Sequence, residues 1–501
     1  MLKRLCQCIG IASLILVINY GDLLGGGADV RMHTPFSLAP ICYAQIADIV
    51  LLALFLFAVL TALSHTGLYR WVRLVLAIVI PPYLVQRTQS FFPFDRIEGF
   101  VLILLVVWAA ILLLLMLRFP KWYRGLMKVS SALAASLVVF ALCSIAQLLW
   151  VATWKPAPNQ ITARWEIGSQ PPRQHPLLVW IIFDELSYDQ VFEHRARDLN
   201  LTNFDALRSQ STLFTDTQPV GYFTVKIVPS LLTGKPVDGI RYNFHNHLWV
   251  HHDSGWAPIK GSDTVFGDAQ TAGWRTAAVG WYNPYCAIYA DAIQNCYWTN
   301  HDMFDGLMAP NTPFLTNIYT PLQQVVRELK SPSRADRDLC TFDVRHRYQT
   351  HIDLQQHAFQ LLRTDQADFV FLHFSLPHSP NIWSRINDNF TQYCDSSYLD
   401  NLALSDHLLG QLMETLKASP RWNQTTLILQ GDHGWRIDAW SGLPSWTDED
   451  DAAARDTFDT RPALIIHQPG QNQPQTVTAP WPILQVHSVI EQVLHGQPLT
   501  F

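Results

Sequence analysis

Three apolar segments of the sequence end abruptly in residues that could bind a metal ion. Each has the length of a buried strand, and each is followed closely by a carboxylate or an imidazole: Leu177–Phe183 by Asp184 and Glu185, Ala367–Phe374 by His378, and Thr425–Gln430 by Asp432 and His433. Carboxylate oxygens and imidazole nitrogens are donors that suit Zn²⁺ and Mn²⁺. One such strand end is ordinary, but three in one chain favour a metal site.

A nearby stretch of hydroxyl-bearing residues could supply a nucleophile. Residues 221–234 read GYFTVKIVPSLLTG, a polar turn before a short apolar helix, with hydroxyls at Thr224, Ser230 and Thr233. A hydroxyl at the start of a helix is usually a cap. Beside a metal ion its pKa falls and it can act as a nucleophile. Lys226 could contact a phosphate oxygen there, or it could be an ordinary surface lysine.

The elements that must position these residues alternate along the C-terminal part of the chain. Beyond the three apolar runs, the pattern predicts strands at Thr276–Trp281 and Ala463–His467 and helices at Asn203–Ser209, Asp353–Arg363 and Ser397–Ala418. Strands that alternate with helices predict an α/β domain with a mainly parallel central sheet. In such sheets the chemistry gathers at the carboxyl ends of the strands, which is where these carboxylates and imidazoles lie.

The N-terminal part has a different composition. The chain of 501 residues is 49% hydrophobic and 15% charged, whereas about a quarter is usual for charged residues. Five apolar segments near membrane length lie before residue 155: Leu5–Leu24, Ala44–Leu63, Trp71–Val85, Gly99–Leu117 and Ser131–Trp154. We predict an α-helical transmembrane bundle of about five helices at 1–154, a linker at 155–175 and an outer domain at 176–501.

The distribution of Lys and Arg predicts the orientation of this bundle. With the N-terminus inside, eight Lys and Arg residues fall in the cytoplasmic segments and three in the outer loops, which is the bias expected of a multi-pass membrane protein. Five crossings place the C-terminal domain outside, and cleavage of the first segment as a signal peptide would leave that result unchanged. A net charge of −6 gives no basic footprint for nucleic acid.

The motifs FDELSYD, TVKIVPSLLTG, LPHSP and GDHG resemble, in order and spacing, the alkaline phosphatase and sulfatase superfamily. Together with the membrane helices they look like the phosphoethanolamine transferases and the lipoteichoic acid synthases. The resemblance implies an alkaline-phosphatase-like α/β fold and a set of site residues. The metal ligands would be Asp184, Asp432, His433 and the nucleophile Thr224, with His378 as a further catalytic residue and Asp189 as a second matching acid. Glu185 could be an extra ligand or, equally, a solvent-facing neighbour.

Two departures from the superfamily pattern bear on the chemistry. Formylglycine sulfatases carry Cys or Ser where this chain has Ile227, so the usual formylglycine cannot form and a threonine nucleophile is favoured. The transferases also have a histidine about a dozen residues after the Asp-His pair, whereas none occurs here between His433 and His467. The sequence therefore does not decide between a site with one metal ion and a site with two.

The resemblance implies a metal-dependent phosphotransferase of the bacterial cytoplasmic (inner) membrane, with its catalytic domain on the periplasmic or extracellular side. It would move phosphoethanolamine or glycerol phosphate from a phospholipid donor to an envelope glycan or lipid, with Zn²⁺ as the expected metal and Mn²⁺ or Ca²⁺ as alternatives. His378 would stabilise charge on the phosphoryl oxygens or protonate a leaving group. The alternatives are a phosphodiester or sulfate ester hydrolase and a non-catalytic, membrane-tethered binding module.

Four cysteines of the outer domain, Cys286, Cys296, Cys340 and Cys394, are compatible with two disulfides in an oxidising compartment. Cys286 with Cys296 is the favoured pair because these two residues are near in sequence, which would leave Cys340 for Cys394. The other connectivities remain open at this point.

Overall fold

The chain forms two compact units in the computed structural model. The structure describes residues 1–16, 21–24, 28–34, 36–88, 100–156, 163–164, 175–299, 313–330, 332–364, 366–443, 445–455 and 459–501. The first unit contains Met1–Val30, Phe36–Lys155 and Leu307–Ala335, and the second contains Arg31–Pro35, Pro156–Gly306 and Asp336–Phe501.

The N-terminal part of the chain is helical. Helices α1 to α7 are Leu2–Leu16, Gly21–Leu24, Ala28–His33, Ala39–Ala62, Leu68–Thr88, Phe100–Arg118 and Pro120–Ala152, and Leu63–His65 form a 3-10 turn after α4. Helices α4 and α7 are built almost entirely of residues without charge, and they present large apolar side chains such as Leu54 and Phe55 outward. Such an exposed apolar surface is typical of a helix that lies in lipid.

Two of the described segments, Ala39–His65 and Pro120–Ala152, are long and apolar enough to cross a membrane. Helices α1, α5 and α6 occupy the other three predicted spans in whole or in part. Pro81 and Pro82 lie inside α5. The structure thus supports two of the five predicted spans.

The second unit is an α/β domain. Strands β1 to β16 are Ala163–Arg164, Leu177–Phe183, Thr212–Phe214, Thr217–Gln218, Gly239–Tyr242, Leu248–His252, Gly255–Pro258, Thr276–Gly280, Asn295–Trp298, Phe369–Phe374, Trp383–Ser384, Asn389–Phe390, Thr425–Gly431, Leu464–His467, Gln475–Val477 and Trp481–Pro482. Helices α8 to α17 are Thr202–Arg208, Thr224–Thr233, Val265–Thr271, Tyr285–Ile288, Phe314–Lys330, Pro332–Thr364, Tyr398–Ala418, Ile437–Trp440, Asp448–Ala453 and Val486–Leu494, of which α12 belongs to the first unit.

The central sheet has nine strands in the order β1-β9-β8-β10-β2-β13-β14-β3-β15. The five neighbours from β9 to β13 are parallel, as predicted for the sheet as a whole. Strand β14 is the exception among the predicted strands, because it runs antiparallel to both β13 and β3. An isolated apolar run carries no signal of direction, so its sequence could not indicate this.

Strand β2 shows why the apolar runs are continuous. All seven of its residues are buried. Phe183 packs into the larger core, which includes Leu354 of α13 and Leu402 of α14. On the opposite face Trp180 contacts Phe371 edge to face, with 5.0 Å between ring centroids. A strand covered on both faces needs apolar residues at every position.

The predicted boundaries differ from the two units at Arg31–Pro35, which belong to the second unit, and at Leu307–Ala335. The segment Leu307–Ala335 belongs to the first unit, although the predicted outer domain began at 176 and ran to the C-terminus. Most of the predicted linker, 157–162 and 165–174, lies outside the described residues. Within it, Ala163–Arg164 pair with β9 at the edge of the sheet.

Candidate active site

The carboxyl ends of three neighbouring strands bring the candidate residues together. Phe183 of β2 stands in register with Gly431 of β13 and with Phe374 of β10. Asp184 and Asp432, which come directly after β2 and β13, therefore leave the sheet side by side. Ligand atoms of Asp184, Asp432 and His433 all lie within 4.8 Å of one another, and all three residues are buried.

The backbone around Asp432 fixes the orientation of two side chains. Asp432 Oδ1 accepts hydrogen bonds from the backbone N–H of Glu185 at 3.1 Å and of His433 at 2.9 Å. The Nδ1 of His433 lies 2.8 Å from the carbonyl oxygen of Gly434. Because a carbonyl can only accept, Nδ1 carries a proton, and the lone pair of the neutral ring is on Nε2. A metal-binding histidine is typically held in this way.

The two glycines of the GDHG motif are required by close packing. A Cβ at position 431 would lie 2.5 Å from the carbonyl oxygen of Leu186, and a Cβ at 434 would lie 2.7 Å from backbone of Thr460. Any larger residue would push the Asp-His pair out of place. The motif is therefore explained by space around the site.

The three side chains fit a divalent metal ion. The Nε2 of His433 lies 3.5 Å from Asp184 Oδ1 and 3.3 Å from Asp432 Oδ2, and neither oxygen has a hydrogen-bond partner among the described residues. Burial, together with the neighbouring Asp432 carboxylate, raises the pKa of Asp184 well above its usual range. Buried lone pairs that converge without donors are stabilised by a cation.

Thr224 is the first residue of α9 and lies against this cluster. Its Oγ1 is 3.2 Å from Asp184 Oδ2 and 3.3 Å from His433 Nε2. The N-cap of α9 is Phe223, which offers no side-chain cap, so the Thr224 hydroxyl is not used as a helix cap. Ser230 and Thr233, in contrast, donate to backbone carbonyls of their own helix at 2.7 and 2.8 Å. Of the three hydroxyls, only that of Thr224 belongs to the cluster.

His378 lies beside the cluster, where it is held between two tryptophans. Its backbone N–H donates to the carbonyl of Asp184 at 3.2 Å, and its ring meets Trp281 and Trp440 edge to face at 5.3 and 5.0 Å. Its Nδ1 contacts the carbonyl of Ser379. Burial and then the charge of nearby arginines lower the pKa of His378 well below its usual value, so the ring is neutral at pH 7.

The carboxylate of Glu185 forms an ion pair and is not part of the described metal-binding group. Glu185 adopts a left-handed backbone conformation with a φ of 67°, and its buried carboxylate pairs with Arg436 Nε at 2.5 Å. The carboxylate also accepts from Trp440 Nε1 at 2.8 Å. The side chain is thus neither a member of the described metal-binding group nor solvent-facing.

Asp189 makes its side-chain contacts outside the cluster. Lys226 is half-buried on α9. Asp189 is buried in a π-helical turn at Asp189–Glu193, where its carboxylate contacts His194 and accepts from Gln190 Nε2 at 2.9 Å. It belongs to a different group of potential ligands, Asp189, Glu193 and His194.

Four residues of the site were missed by sequence reasoning: His373, Tyr285, Arg347 and Arg436. His373 is fully buried with Nε2 3.9 Å from Asp184 Oδ2, and its Nδ1 lies 2.7 Å from the hydroxyl of Tyr285. Burial lowers the pKa of His373 to about 4. Arg347 donates to the carbonyl of Ser379 at 3.1 Å. A histidine inside the apolar run FVFLHF was the one available signal, whereas Arg347 lies in a polar helix without a motif.

The outer cysteines form two disulfides. Cys286 bonds to Cys296 and Cys340 bonds to Cys394, with Cα–Cα distances of 5.5 and 6.0 Å. The first closes a small loop between α11 and β9, next to strand β8. The four remaining cysteines, all in the N-terminal part, are free.

Comparisons with known proteins show what the C-terminal part of the chain resembles. The family model described as Sulfatase matches residues 176–492, while no curated protein matches the chain. Similar solved structures include the PsFucS1 sulfatase from Pseudoalteromonas sp., with 14% identity, a TM-score of 0.41 and coverage of 65% of this chain and 68% of that one.

Two other similar structures carry different activities in their names. The phosphonate monoester hydrolase of Agrobacterium radiobacter has 14% identity, a TM-score of 0.38 and coverage of 64% of this chain and 74% of its own. The lipoteichoic acid synthase LtaP from Listeria monocytogenes has 12% identity, a TM-score of 0.38 and coverage of 64% and 72%.

Proposed function

Because the chain belongs to the sulfatase family of the alkaline phosphatase superfamily, we propose that it is a membrane-anchored, metal-dependent phosphotransferase. It takes a phosphoethanolamine or glycerol phosphate group from a phospholipid and passes it to a hydroxyl of an envelope glycan or lipid. The group is carried on Thr224 between the two steps.

One observation carries this proposal. The hydroxyl of Thr224 lies within 3.3 Å of both Asp184 and His433, in a cluster whose buried carboxylate oxygens lack donors among the described residues. A structural threonine would satisfy the backbone of its helix, as Thr233 does. A hydroxyl at the edge of a metal-binding cluster is instead the arrangement of an activated nucleophile.

Asp184, Asp432 and His433 would hold the metal ion, with Thr224 completing the set. The bound ion would supply positive charge that lowers the pKa of the Thr224 hydroxyl and offsets charge on the phosphoryl oxygens. Zn²⁺ is the expected ion, because mixed nitrogen and oxygen donors suit it. Mn²⁺ and Ca²⁺ are the alternatives.

The transfer consists of two successive displacements at phosphorus. In the first, Thr224 Oγ1 gives up its proton and bonds to phosphorus while the bond from phosphorus to the donor lipid oxygen breaks, and that oxygen takes up one proton as diacylglycerol leaves. In the second, an acceptor hydroxyl gives up its proton and bonds to phosphorus while the bond to Thr224 Oγ1 breaks, and Thr224 takes up one proton. Each step inverts phosphorus, so the two together retain its configuration.

His378 and two arginines support these steps. The neutral ring of His378 can exchange a proton with the leaving or attacking oxygen, and it does not itself bring positive charge. That charge comes from Arg347 and Arg436, both of which lower the pKa of His378 through their proximity. Preorganised cations of this kind stabilise the charge that develops on a transferred phosphoryl group.

The membrane placement is supported by two features of the N-terminal part. Helices α4 and α7 are each able to cross a membrane. Arg31–Pro35, which precede α4 in the chain, belong to the second unit. There Arg31 donates to the carbonyl of Tyr242 at 3.3 Å and its guanidinium lies 4.8 Å from the Phe244 ring. We place this segment and the catalytic domain on the periplasmic or extracellular side of a bacterial inner membrane, as a multi-pass protein.

The test is mass spectrometry of the purified full-length protein and of the envelope lipids and glycans, from cells with the wild type or with Thr224→Val. We expect a phosphoryl adduct on Thr224 and an envelope molecule of matching added mass, and we expect both to be absent in the variant. Thr233→Val is the matched control and should keep both. An adduct without a modified acceptor would favour a hydrolase, with water as acceptor. Loss of neither signal in Thr224→Val would contradict a threonine nucleophile.

A further inference from the structure

Helix α12, Phe314–Lys330, interrupts the catalytic domain in sequence but belongs to the first unit in space. The sulfatase match runs through it, from 176 to 492, yet Leu307–Ala335 group with the N-terminal helices. Within that unit α12 packs against α4, one of the two helices able to cross a membrane. The chain thus leaves the catalytic domain, contacts a membrane helix and returns.

The sequence of α12 has a strict helical repeat. Apolar residues stand at positions 314, 315, 318, 319, 322, 325, 326 and 329, and the other positions carry polar, charged or proline residues. At 100° per residue the first set covers less than half of the helix circumference and the second set covers the rest. The helix is therefore amphipathic along its whole length.

The exposure of α12 is the reverse of what a water-soluble helix shows. Leu315 is 76% exposed, Tyr319 is 60% exposed and Phe314 is 45% exposed, whereas Asn317, on the polar side of the helix, is buried. A helix on the surface of a soluble protein buries its apolar stripe and exposes its polar one. Here three apolar residues of the first two turns, Phe314, Leu315 and Tyr319, face outward.

Helix α4 also exposes apolar side chains. That helix presents Val50, Leu51, Leu54 and Phe55 outward, each at least 45% exposed, as expected for side chains in contact with lipid. Because α12 packs on α4, its own exposed apolar residues lie next to a surface of the same chemistry. Charged residues at 327, 328 and 330 prevent α12 from crossing the hydrocarbon core.

We propose that α12 is an interfacial helix, with its apolar stripe inserted into the outer face of the lipid bilayer. It ties the middle of the catalytic domain sequence to the membrane, as a second attachment in addition to the N-terminal helices. An amphipathic helix in this position lies in the plane of the interface with its apolar face at the boundary between headgroups and acyl chains. The tyrosine in the stripe suits that depth. The inference requires a membrane protein but does not depend on phosphotransfer.

The test uses full-length protein in nanodiscs, with single cysteines at three positions labelled by an environment-sensitive fluorophore. The free cysteines at 6, 8, 42 and 143 are replaced by alanine, which leaves both disulfides intact. Leu315→Cys reports the stripe, Thr316→Cys is the neighbouring exposed control on the polar side, and Leu54→Cys reports α4. We expect brominated lipids to quench the label at 315 several-fold more than the label at 316, and aqueous iodide to show the opposite order.

Three outcomes are distinguishable. If 54 and 315 are both quenched by brominated lipid, the proposal stands. If brominated lipid quenches the label at 54 and iodide quenches the label at 315 as strongly as the label at 316, the proposal of an interfacial helix is wrong, while the membrane placement of α4 stands. If 315 is protected from iodide but insensitive to brominated lipid, the stripe is covered by protein, such as a second copy, and the proposal is also wrong. Should the cysteine-free chain fail to fold, Tyr319 replaced by p-benzoylphenylalanine in the natural background must give photo-adducts with lipid.

Discussion

Asp184→Asn tests two effects of the carboxylate cluster: its charge repulsion, which destabilises the metal-free protein, and its ability to bind a metal ion. Asp184 and Asp432 carry ligand oxygens within 4.8 Å of each other, and both side chains are buried. Two negative charges at that distance repel by about 3.5 kcal/mol at an effective dielectric constant near 20. Asparagine keeps the shape and the ability to accept from Thr224, while it removes one of the charges. Without metal we therefore expect the variant to be more stable than the wild type.

The expected change in Tm depends on the number of residues in the domain. A domain of roughly 320 residues changes its Tm by about 1.5 °C per kcal/mol, so metal-free Asp184→Asn should melt about 3–5 °C higher than the metal-free wild type. Zn²⁺ at about 100-fold above its Kd stabilises the wild type by about 2.7 kcal/mol, or about 4 °C. The variant should show almost no shift, because it lacks one anionic ligand.

The assay is thermal unfolding of the full-length protein in detergent at pH 8, followed by tryptophan fluorescence after chelation and after metal addition. Asp205→Asn is the matched control, since Asp205 pairs with Arg195 at 2.7 Å on the surface, and it should keep the metal shift. A metal shift of equal size in Asp184→Asn, or a lower Tm for this variant than for the wild type without metal, would refute the reasoning.

For three further perturbations the structure determines whether stability rises or falls. Arg436→Met leaves the carboxylate of Glu185, which is fully buried, without its cation, and should cost about 3–5 kcal/mol and lower the Tm by about 5–8 °C; an unchanged Tm would mean that this ion pair is not made. Burial lowers the pKa of His351 to about 4, against about 6.5 when unfolded, so stability should fall by up to about 3 kcal/mol as the pH drops from about 6.5 to about 4. His351→Phe should flatten the plot of Tm against pH in that window, and an equal slope would contradict the assignment. Cys286→Ser removes the disulfide to Cys296, ten residues away, and should lower the free energy of unfolding by about 2–3 kcal/mol. A reducing agent should then lower the Tm of this variant less than it lowers the Tm of the wild type.

The approach of Asp184, Asp432 and His433 could be anticipated because it depends on local patterns. The two aspartates stand at the ends of continuous apolar runs, and the runs became β2 and β13 with in-register ends. Parallel strands of equal length bring the residues after them to the same edge of the sheet. The motif that forms α9 likewise placed a hydroxyl at a helix start, where Thr224 reaches the cluster.

Other parts of the site depend on contacts between distant parts of the chain. Glu185 pairs with Arg436, 251 positions later, so its neighbours in sequence do not indicate where its carboxylate points. His373 occupied an ordinary position in an apolar strand, and only the packing of β10 beside β2 shows that its Nε2 lies next to Asp184. Arg347 belongs to a polar helix, and no motif marks it.

The sequence by itself determined the elements whose signal is local: apolar runs long enough for buried strands, apolar helices before residue 155, and motif residues at strand ends and a helix start. These signals survive without tertiary contacts because hydrophobic periodicity is set by immediate neighbours. Only the tertiary structure decided the direction of β14, the partner of Glu185 and the placement of α12 with the N-terminal helices. Each of these is a choice among partners far away in the chain, and it is made by the burial and pairing of surfaces that no single segment contains.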